Sequence, residues 1–195
     1  HAGPALYSVL SDKGYFPTEW LHTLNQGGTC LPSHCDRNLT PGIDMTTGSL
    51  GQGLSSAIGI ALGHRLDGIN SKIYVIIGDG ESNEGQVWEA AQAASQFKLN
   101  HLIAFTDYNK LQLDGFMNEI MSIEDLTAKW VSFGWFVQRV NGHDLAQLDL
   151  AIERAQSEPL RPSMIVLDTI KGKGVDFAEN IASNHDMKFD YPTAL

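Results

Sequence analysis

The sequence of 195 residues predicts an α/β fold in which a parallel sheet has helices on both faces. Short apolar runs without strict alternation of apolar and polar residues recur along the chain, as is typical of strands buried on both faces. Segments with helical periodicity lie between these runs, and this alternation of strand and helix favours a parallel sheet. We therefore expect one domain over residues 1–195.

The predicted elements follow one another along the chain. A first helix over residues 50–66 is small and apolar on nearly all sides, so we expect it to be a buried helix. Two further helices, over 85–98 and 145–156, place their apolar residues on one face. The predicted strands are 73–77, 102–106, 135–140 and 164–169.

Composition excludes some classes of function. The chain carries 13 Lys and Arg against 23 Asp and Glu, and it has no basic run that could follow a phosphate backbone. We therefore expect no nucleic-acid partner. Its apolar runs are far shorter than the roughly 20 residues of a membrane-spanning helix, so we expect no membrane association. Two cysteines, Cys30 and Cys35, and no recognisable signal peptide predict a reduced, cytoplasmic protein.

The sharpest local feature follows the strand predicted over 73–77, where Gly78, Asp79 and Gly80 precede a helix. Glycine lets the backbone turn and approach a ligand closely, and a helix N-terminus favours an anion such as phosphate. Asp79 would repel a bare phosphate. A divalent cation that bridges carboxylate and phosphate oxygens removes this conflict.

The neighbouring predicted strand is followed by Asn109. Because the carboxyl ends of adjacent parallel strands face the same crevice, Asp79 and Asn109 can supply oxygen ligands to one ion. Few protein ligands together with phosphate oxygens fit octahedral Mg²⁺. The spacing alone leaves open an ordinary strand-to-helix turn of a doubly wound fold. Neither a G-x-G-x-x-G fingerprint nor a phosphate-loop motif is present at this turn.

Several longer segments resemble transketolase, and they follow one another in the family's order over most of the chain. They are HAGPALYSVL (1–10), TPGIDMTTGSLGQGLSSAIGIALG (40–63), GDGESNEGQVWEAA (78–91), DYNKLQLDG (107–115) and TIKGKGV (169–175). The GDG segment followed by Asn109 also resembles the thiamine diphosphate motif. The chain is therefore identified as a member of this family. Residues 1–195 resemble its N-terminal, diphosphate-binding domain, with some N-terminal residues of that domain lacking.

The resemblance implies a role for particular residues. The implied metal ligands are Asp79, Asn109 and, through its carbonyl, Leu111, with Mg²⁺ (or Ca²⁺ or Mn²⁺) as the ion. The implied cofactor-binding residues are His1, Gly48, Ser49, Leu50, Gly80, Asn109, Lys171 and His185. The implied catalytic residues are His1, His34 and His185. Histidine suits this role because proton movements on substrate hydroxyls need groups that titrate near neutral pH.

The resemblance also implies an activity. Transketolase uses thiamine diphosphate and Mg²⁺ to transfer a two-carbon ketol unit from a ketose to an aldose, and it serves the carbohydrate metabolism of the pentose phosphate pathway. We expect sugar or sugar phosphate substrates. Two alternatives remain open. The chain could belong to another thiamine diphosphate enzyme, such as a 2-oxo acid dehydrogenase E1-like component or a synthase, or it could be a non-catalytic cofactor-binding module.

In this family the glutamate that hydrogen-bonds the aminopyrimidine ring lies in a pyrimidine-binding domain, and nothing in this chain resembles that domain. We therefore expect a partner chain, the C-terminal (pyrimidine-domain) subunit of a split transketolase, without which the chain is inactive. Homodimeric pairing of such pairs would give a heterotetramer. A fragment of a longer chain is the alternative interpretation.

Overall fold

The computed structural model describes residues 2–179 and 181–187, and the chain divides into two compact units, 1–53 and 54–195. The expectation of a single domain stays a prediction. Among the described residues, no helix combines the length and apolar character that crossing a membrane requires.

The first unit begins with helix α1, Gly3–Asp12, and continues through a 3-10 turn at Thr18–Thr23 into irregular loops. Pro4 lies in the first turn of α1, where a missing N–H costs nothing. The phenolic hydroxyl of Tyr7 donates to the carbonyl of Pro32 at 2.7 Å, which ties the helix to these loops. The core of this unit consists of Tyr7, Leu10, Phe16, Leu31, Cys35 and Ile43.

The second unit contains the predicted sheet. In chain order its elements are α2 (Gln52–Leu66, which starts at the unit boundary), β1 (Ile73–Gly78), α3 (Gly85–Gln96), β2 (Leu102–Tyr108), β3 (Leu111–Gln112), β4 (Gly115–Phe116), α4 (Met117–Ile120), α5 (Leu126–Ser132), β5 (Phe136–Asn141), α6 (Leu145–Ser157) and β6 (Ser163–Asp168). Strands β1, β2, β6 and β5 form one parallel sheet in that spatial order, whereas β3 and β4 form a separate antiparallel hairpin. The four predicted strands are confirmed, with small shifts of their ends.

Helices cover both faces of this sheet, as predicted. Alternate residues of the inner strand β2 belong to different core clusters, because successive side chains of a strand point to opposite faces. Leu102 and Ala104 lie in a cluster with residues of α2, α3 and α5. Ile103 lies in another cluster with Ala151 and Ala155 of α6. The α/β class with a parallel sheet between helical layers is therefore confirmed.

Helix α2 is buried on one side only, so the predicted burial of this helix is present on that side and absent from the other. Its buried residues are Leu54, Ala57, Ile58 and Ala61. Ile60 is 39% exposed and Leu66 is 88% exposed. Glycine and alanine made the sequence look apolar throughout, yet such small residues gain little from burial and therefore say little about which side faces the core.

Tryptophans form a cluster beside the sheet. The ring centroids of Trp88 and Trp130 lie 5.0 Å apart, and those of Trp130 and Trp135 lie 4.8 Å apart. The indole N–H of Trp88 donates to the carbonyl of Ser82 at 2.9 Å. This contact holds the turn that follows Asp79. Trp130 and Trp135 are fully buried in this core.

We expect Asp125→Ala to lower the free energy of unfolding by about 1 kcal/mol, the typical value for removing a helix N-cap. Asp125 is the N-cap of α5, and its Oδ1 accepts the backbone N–H of Ala128 at 2.9 Å. Urea unfolding followed by circular dichroism measures the change. Asp125→Asn retains an acceptor and should lose much less. Asp149→Ala, an exposed site within α6, is the matched control. Equal stability of Asp125→Ala and wild type would contradict the role of the cap.

Candidate cofactor and metal site

The carboxyl ends of β1 and β2 bring Asp79 and Asn109 to the same edge of the sheet. The strand register pairs Gly78 with Asp107, and the backbone N–H of Asp79 donates to the carbonyl of Asp107 at 3.2 Å. Across the same gap, the backbone N–H of Lys110 donates to Asp79 Oδ2 at 2.5 Å. The predicted juxtaposition of the two strand ends is therefore present, whereas the role of these residues as metal ligands stays a prediction.

Asp79 is a buried carboxylate, only 2% exposed, and its pKa is raised to about 6. Burial is the main cause, because a low-dielectric surrounding disfavours the charged form. Hydrogen bonds from the N–H groups of Lys110 and Gly80 lower the pKa, the charge of Asp107 raises it, and the charge of Lys171 lowers it. Burial outweighs the favourable contacts. A cation bound at this carboxylate would therefore stabilise its ionised form.

The side-chain amide of Asn109 is hydrogen-bonded at both ends. Its Nδ2 donates to Asp107 Oδ2 at 3.1 Å, and its Oδ1 accepts the backbone N–H of Leu111 at 2.9 Å. An amide oxygen has two lone pairs, so Oδ1 keeps one for another partner. Carboxylate, amide and main-chain carbonyl oxygens are the hard ligands that Mg²⁺ and Ca²⁺ prefer. The donor atoms of Asp79, Asn109 and Leu111 therefore fit such an ion.

The surroundings of Gly80 fit an anionic ligand. A Cβ atom built on Gly80 would come within 3.0 Å of the Cβ of Gln112, so the two residues are packed closely. Within the described chain, the buried Nε2 of Gln112 has no hydrogen-bond partner. An unpaired buried donor costs stability, and a phosphate oxygen is an acceptor that could satisfy it. The residues present thus fit the diphosphate of the cofactor.

Lys171 and His185 lie together in the segment that follows β6. The ammonium of Lys171 donates to His185 Nδ1 at 3.0 Å. Burial lowers the pKa of Lys171, while the charges of Asp79 and Asp107 raise it. Lys171 is therefore close enough to both carboxylates to interact with them electrostatically.

In the first unit, His34 lies beside Gly48. The backbone N–H of Thr47 donates to the carbonyl of Cys35 at 3.1 Å, which holds the two loops together. A Cβ atom on Gly48 would overlap the imidazole ring of His34, and Gly48 has φ +131°. This position therefore requires glycine, both for its backbone conformation and for the space that the ring occupies.

The remaining predicted residues are less informative. Ser49 and Leu50 follow Gly48 in the same loop and are not buried, with Leu50 39% exposed. His1 lies outside the described residues, so its predicted catalytic and cofactor-binding roles stay predictions. No group of three or more His, Cys, Asp and Glu that could hold a metal occurs within residues 2–179 and 181–187. The predicted metal ligands Asp79, Asn109 and Leu111 are not such a group, because they combine one carboxylate with an amide and a carbonyl oxygen.

Sequence reasoning missed two side chains at this edge of the sheet. Asp107 contacts Asn109, as described above, and also accepts a hydrogen bond from the hydroxyl of Thr169. Gln112 packs against Gly80. The D-x-N spacing of Asp107 and Asn109 is a signal that could have found the first, since side chains two positions apart along an extended segment lie on the same face. No sequence signal points to Gln112.

Comparison with known proteins places this arrangement in a family. Residues 1–190 match the family model for the transketolase thiamine diphosphate binding domain. The chain belongs to the transketolase family. The resemblance seen in the sequence is therefore confirmed.

Relatives within the transketolase family include named subunits. The chain is 57% identical over 188 residues to the 6-deoxy-6-sulfo-D-fructose transketolase subunit SqwG of Clostridium sp. (strain MSTE9), covering 96% of this chain and 68% of that protein. It is 40% identical over 179 residues to an apulose-4-phosphate transketolase subunit of Actinobacillus succinogenes, covering 92% of this chain and 64% of that protein. The chain thus spans about two thirds of the length of these relatives.

Solved transketolase structures have the same fold. The transketolase of Campylobacter jejuni matches with a TM-score of 0.88 at 31% identity, covering 95% of this chain and 30% of that chain. A transketolase of Pichia stipitis in complex with fructose 6-phosphate matches with a TM-score of 0.86 at 34% identity, covering 92% of this chain and 28% of that chain.

Proposed function

We propose that this chain is the diphosphate-binding subunit of a split transketolase. It binds thiamine diphosphate through Mg²⁺ and, with a pyrimidine-domain partner, transfers a two-carbon ketol unit from a ketose to an aldose. The observation that carries this proposal is the pair of adjacent strand ends, where Asp79 and Asn109 present oxygen ligands in a chain of the transketolase family.

Each group at the strand ends has a part in binding. Asp79, Asn109 and the carbonyl of Leu111 hold the metal ion, and the ion carries the diphosphate. Gly80 allows the close approach of Gln112, whose unpaired Nε2 can donate to the diphosphate. The cation of Lys171 offsets part of the negative charge that the cofactor brings to an acidic protein. Thiamine diphosphate, when bound, supplies the electron sink for breaking and forming the carbon–carbon bond.

The histidines hold and move protons on substrate oxygens. In the tautomer of His185 in which Nδ1 accepts the hydrogen bond of Lys171, the ring proton lies on Nε2. Nε2 can therefore donate to a substrate oxygen. His34, kept in place beside Gly48, and His1 have corresponding roles. Gly48, Ser49 and Leu50 support the aminopyrimidine end of the cofactor.

The partner completes the site. The relatives at 57% and 40% identity are named as transketolase subunits, which supports a split enzyme for this chain as well. The partner supplies the pyrimidine-binding domain and its glutamate, and two such pairs assemble into a heterotetramer.

The ketose substrate carries a terminal anionic group. One relative is named for a sulfonated fructose and others for apulose 4-phosphate, so sulfonate or phosphate is the shared chemistry. The higher identity of the first relative favours 6-deoxy-6-sulfofructose as donor. A place in the pentose phosphate pathway stays a prediction, and this relative supports a different branch of sugar metabolism.

We expect the full-length chain, mixed with its partner subunit, thiamine diphosphate and Mg²⁺, to transfer a ketol unit to an aldose phosphate. Each of the two chains should be inactive by itself, and chelation by EDTA should lower the rate at least about 100-fold, since the metal holds the diphosphate. The assay compares 6-deoxy-6-sulfofructose, fructose 6-phosphate and xylulose 5-phosphate as donors by kcat/KM, and we expect the sulfosugar to be highest.

Two other results of this assay would contradict the proposal. If pyruvate is added as a further donor, decarboxylation of this 2-oxo acid in place of ketol transfer from the sugars would assign the chain to a dehydrogenase or synthase. Cofactor binding without turnover of any donor, with the partner present, would favour a non-catalytic module.

A further inference from the structure

Asp107 stands next to the candidate metal site without being one of its predicted ligands. Its carboxylate accepts two side-chain hydrogen bonds, one at Oδ2 from Asn109 Nδ2 at 3.1 Å and one at Oδ1 from the hydroxyl of Thr169. Thr169 follows β6, and its backbone N–H donates to the carbonyl of Tyr108 at 3.3 Å. The carboxylate is thus held by the residue that immediately follows the neighbouring strand of the sheet.

The hydrogen bonds of Asn109 permit one orientation of its amide. An ionised carboxylate only accepts hydrogen bonds, so the end of the amide that faces Asp107 must be the NH₂ group. The other end faces the backbone N–H of Leu111, a donor, and must be the oxygen. A flipped amide would place oxygen against the carboxylate and NH₂ against an N–H, so it would lose both hydrogen bonds.

We propose that Asp107 is a positioning residue that fixes the side-chain amide of Asn109 so that its oxygen, and not its nitrogen, is presented to the divalent cation. The inference rests on the proposed function, because it concerns the ion that carries the diphosphate. Thr169 fixes Asp107 in turn, and Asp107 itself does not contact the ion. Groups that orient metal ligands in this way typically change metal affinity by about 10- to 100-fold when they are removed.

The test measures the affinity of Mn²⁺, as a probe for the Mg²⁺ site, by electron paramagnetic resonance at saturating thiamine diphosphate. It uses the full-length chain with its partner subunit. Asp107→Leu keeps the size of the side chain but has no acceptor, and we expect its Mn²⁺ affinity to fall about 10-fold or more. Asp107→Asn can accept from Asn109 through its oxygen and donate to the hydroxyl of Thr169, so we expect affinity within about 3-fold of wild type.

A double-mutant cycle shows whether Asp107 acts through Asn109. In an Asn109→Ala background there is no amide to orient, and adding Asp107→Leu should change Mn²⁺ affinity by less than about 2-fold. Cofactor-free thermal unfolding of every variant separates a loss of folding from a loss of metal binding. Because Asp107→Asn preserves shape and hydrogen bonding, it keeps the proposal testable if Asp107→Leu folds poorly.

Several outcomes would overturn the proposal. Equal losses of Mn²⁺ affinity in Asp107→Asn and Asp107→Leu would assign the effect to the negative charge of Asp107 and not to its hydrogen bonds. The same loss in the wild-type and Asn109→Ala backgrounds would make Asp107 an independent ligand. Unchanged Mn²⁺ affinity in Asp107→Leu would show that Asp107 has no role in positioning Asn109 for the metal. If wild type itself shows no metal-dependent cofactor binding, the proposed function fails together with this inference, whereas the other outcomes affect the inference alone.

Discussion

Replacing Asp79 with alanine should weaken Mg²⁺-dependent binding of thiamine diphosphate at least about 100-fold, because removing one partner of a buried charge pair typically costs about 3–5 kcal/mol. Asp79 is the one carboxylate among the proposed ligands. The amide of Asn109 and the carbonyl of Leu111 are neutral, so neither can replace its charge. Isothermal titration of the full-length chain and its partner with thiamine diphosphate, with and without Mg²⁺, measures the loss.

Folding of the Asp79→Ala variant is checked without cofactor. The pKa of Asp79 rises from 3.8 to about 6 on folding, so the folded state binds this proton more tightly than the unfolded state. Wild type should therefore lose stability from this group as pH rises from about 4 to about 6. The variant lacks this pH-dependent loss but also leaves the backbone N–H groups of Lys110 and Gly80 without their acceptor, so thermal unfolding of the cofactor-free variant at neutral pH separates a folding defect from a binding defect. Asp149→Ala, exposed on α6, should bind as wild type does. Unchanged binding by Asp79→Ala would refute the metal site.

Trp130→Ala should lower the free energy of unfolding by about 3–5 kcal/mol, the usual range for emptying a buried aromatic site. Trp130 is fully buried and lies between Trp88 and Trp135, so its loss leaves a cavity lined by both rings. Urea unfolding followed by far-ultraviolet circular dichroism measures the change. A loss below about 1 kcal/mol would contradict the central place of this residue in the core.

Trp130→Phe is the matched control for this prediction. The indole Nε1 of Trp130 is buried and, within the described chain, has no hydrogen-bond partner. Phenylalanine fills most of the space of the indole and has no unpaired donor. Removing that donor therefore offsets part of the stability lost to the smaller cavity. We expect its loss of stability to be well below that of alanine.

The sheet and the position of Asp79 and Asn109 could be predicted because they depend on local signals. Buried parallel strands appear as continuous apolar runs, and the carboxyl ends of neighbouring parallel strands meet at one edge. Asp107 could not be assigned a role in the same way, because its partner Thr169 is 62 residues away along the chain. Its function depends on the order of β2 and β6 in the sheet, which the sequence pattern leaves open.

Short elements were also beyond sequence reasoning. The hairpin of β3 and β4 has two residues in each strand, and α4 has four residues. Segments of this length are too short to show a period of two or of 3.6 residues. Helix α5 has a clear N-cap in Asp125, yet it spans only seven residues, Leu126–Ser132. A helix this short is marginal by itself, so the packing of Trp130 in the core stabilises α5.

A crystal structure of the assembled enzyme with Mn²⁺ and thiamine diphosphate, with anomalous diffraction data at the manganese edge, is the most direct test. We expect one anomalous peak in contact with Asp79, the side-chain oxygen of Asn109 and the carbonyl of Leu111, with the cofactor's phosphates on its other side. Cofactor bound with no metal at these oxygens, or an anomalous peak held by other residues, would contradict the proposal that these strand ends carry the diphosphate.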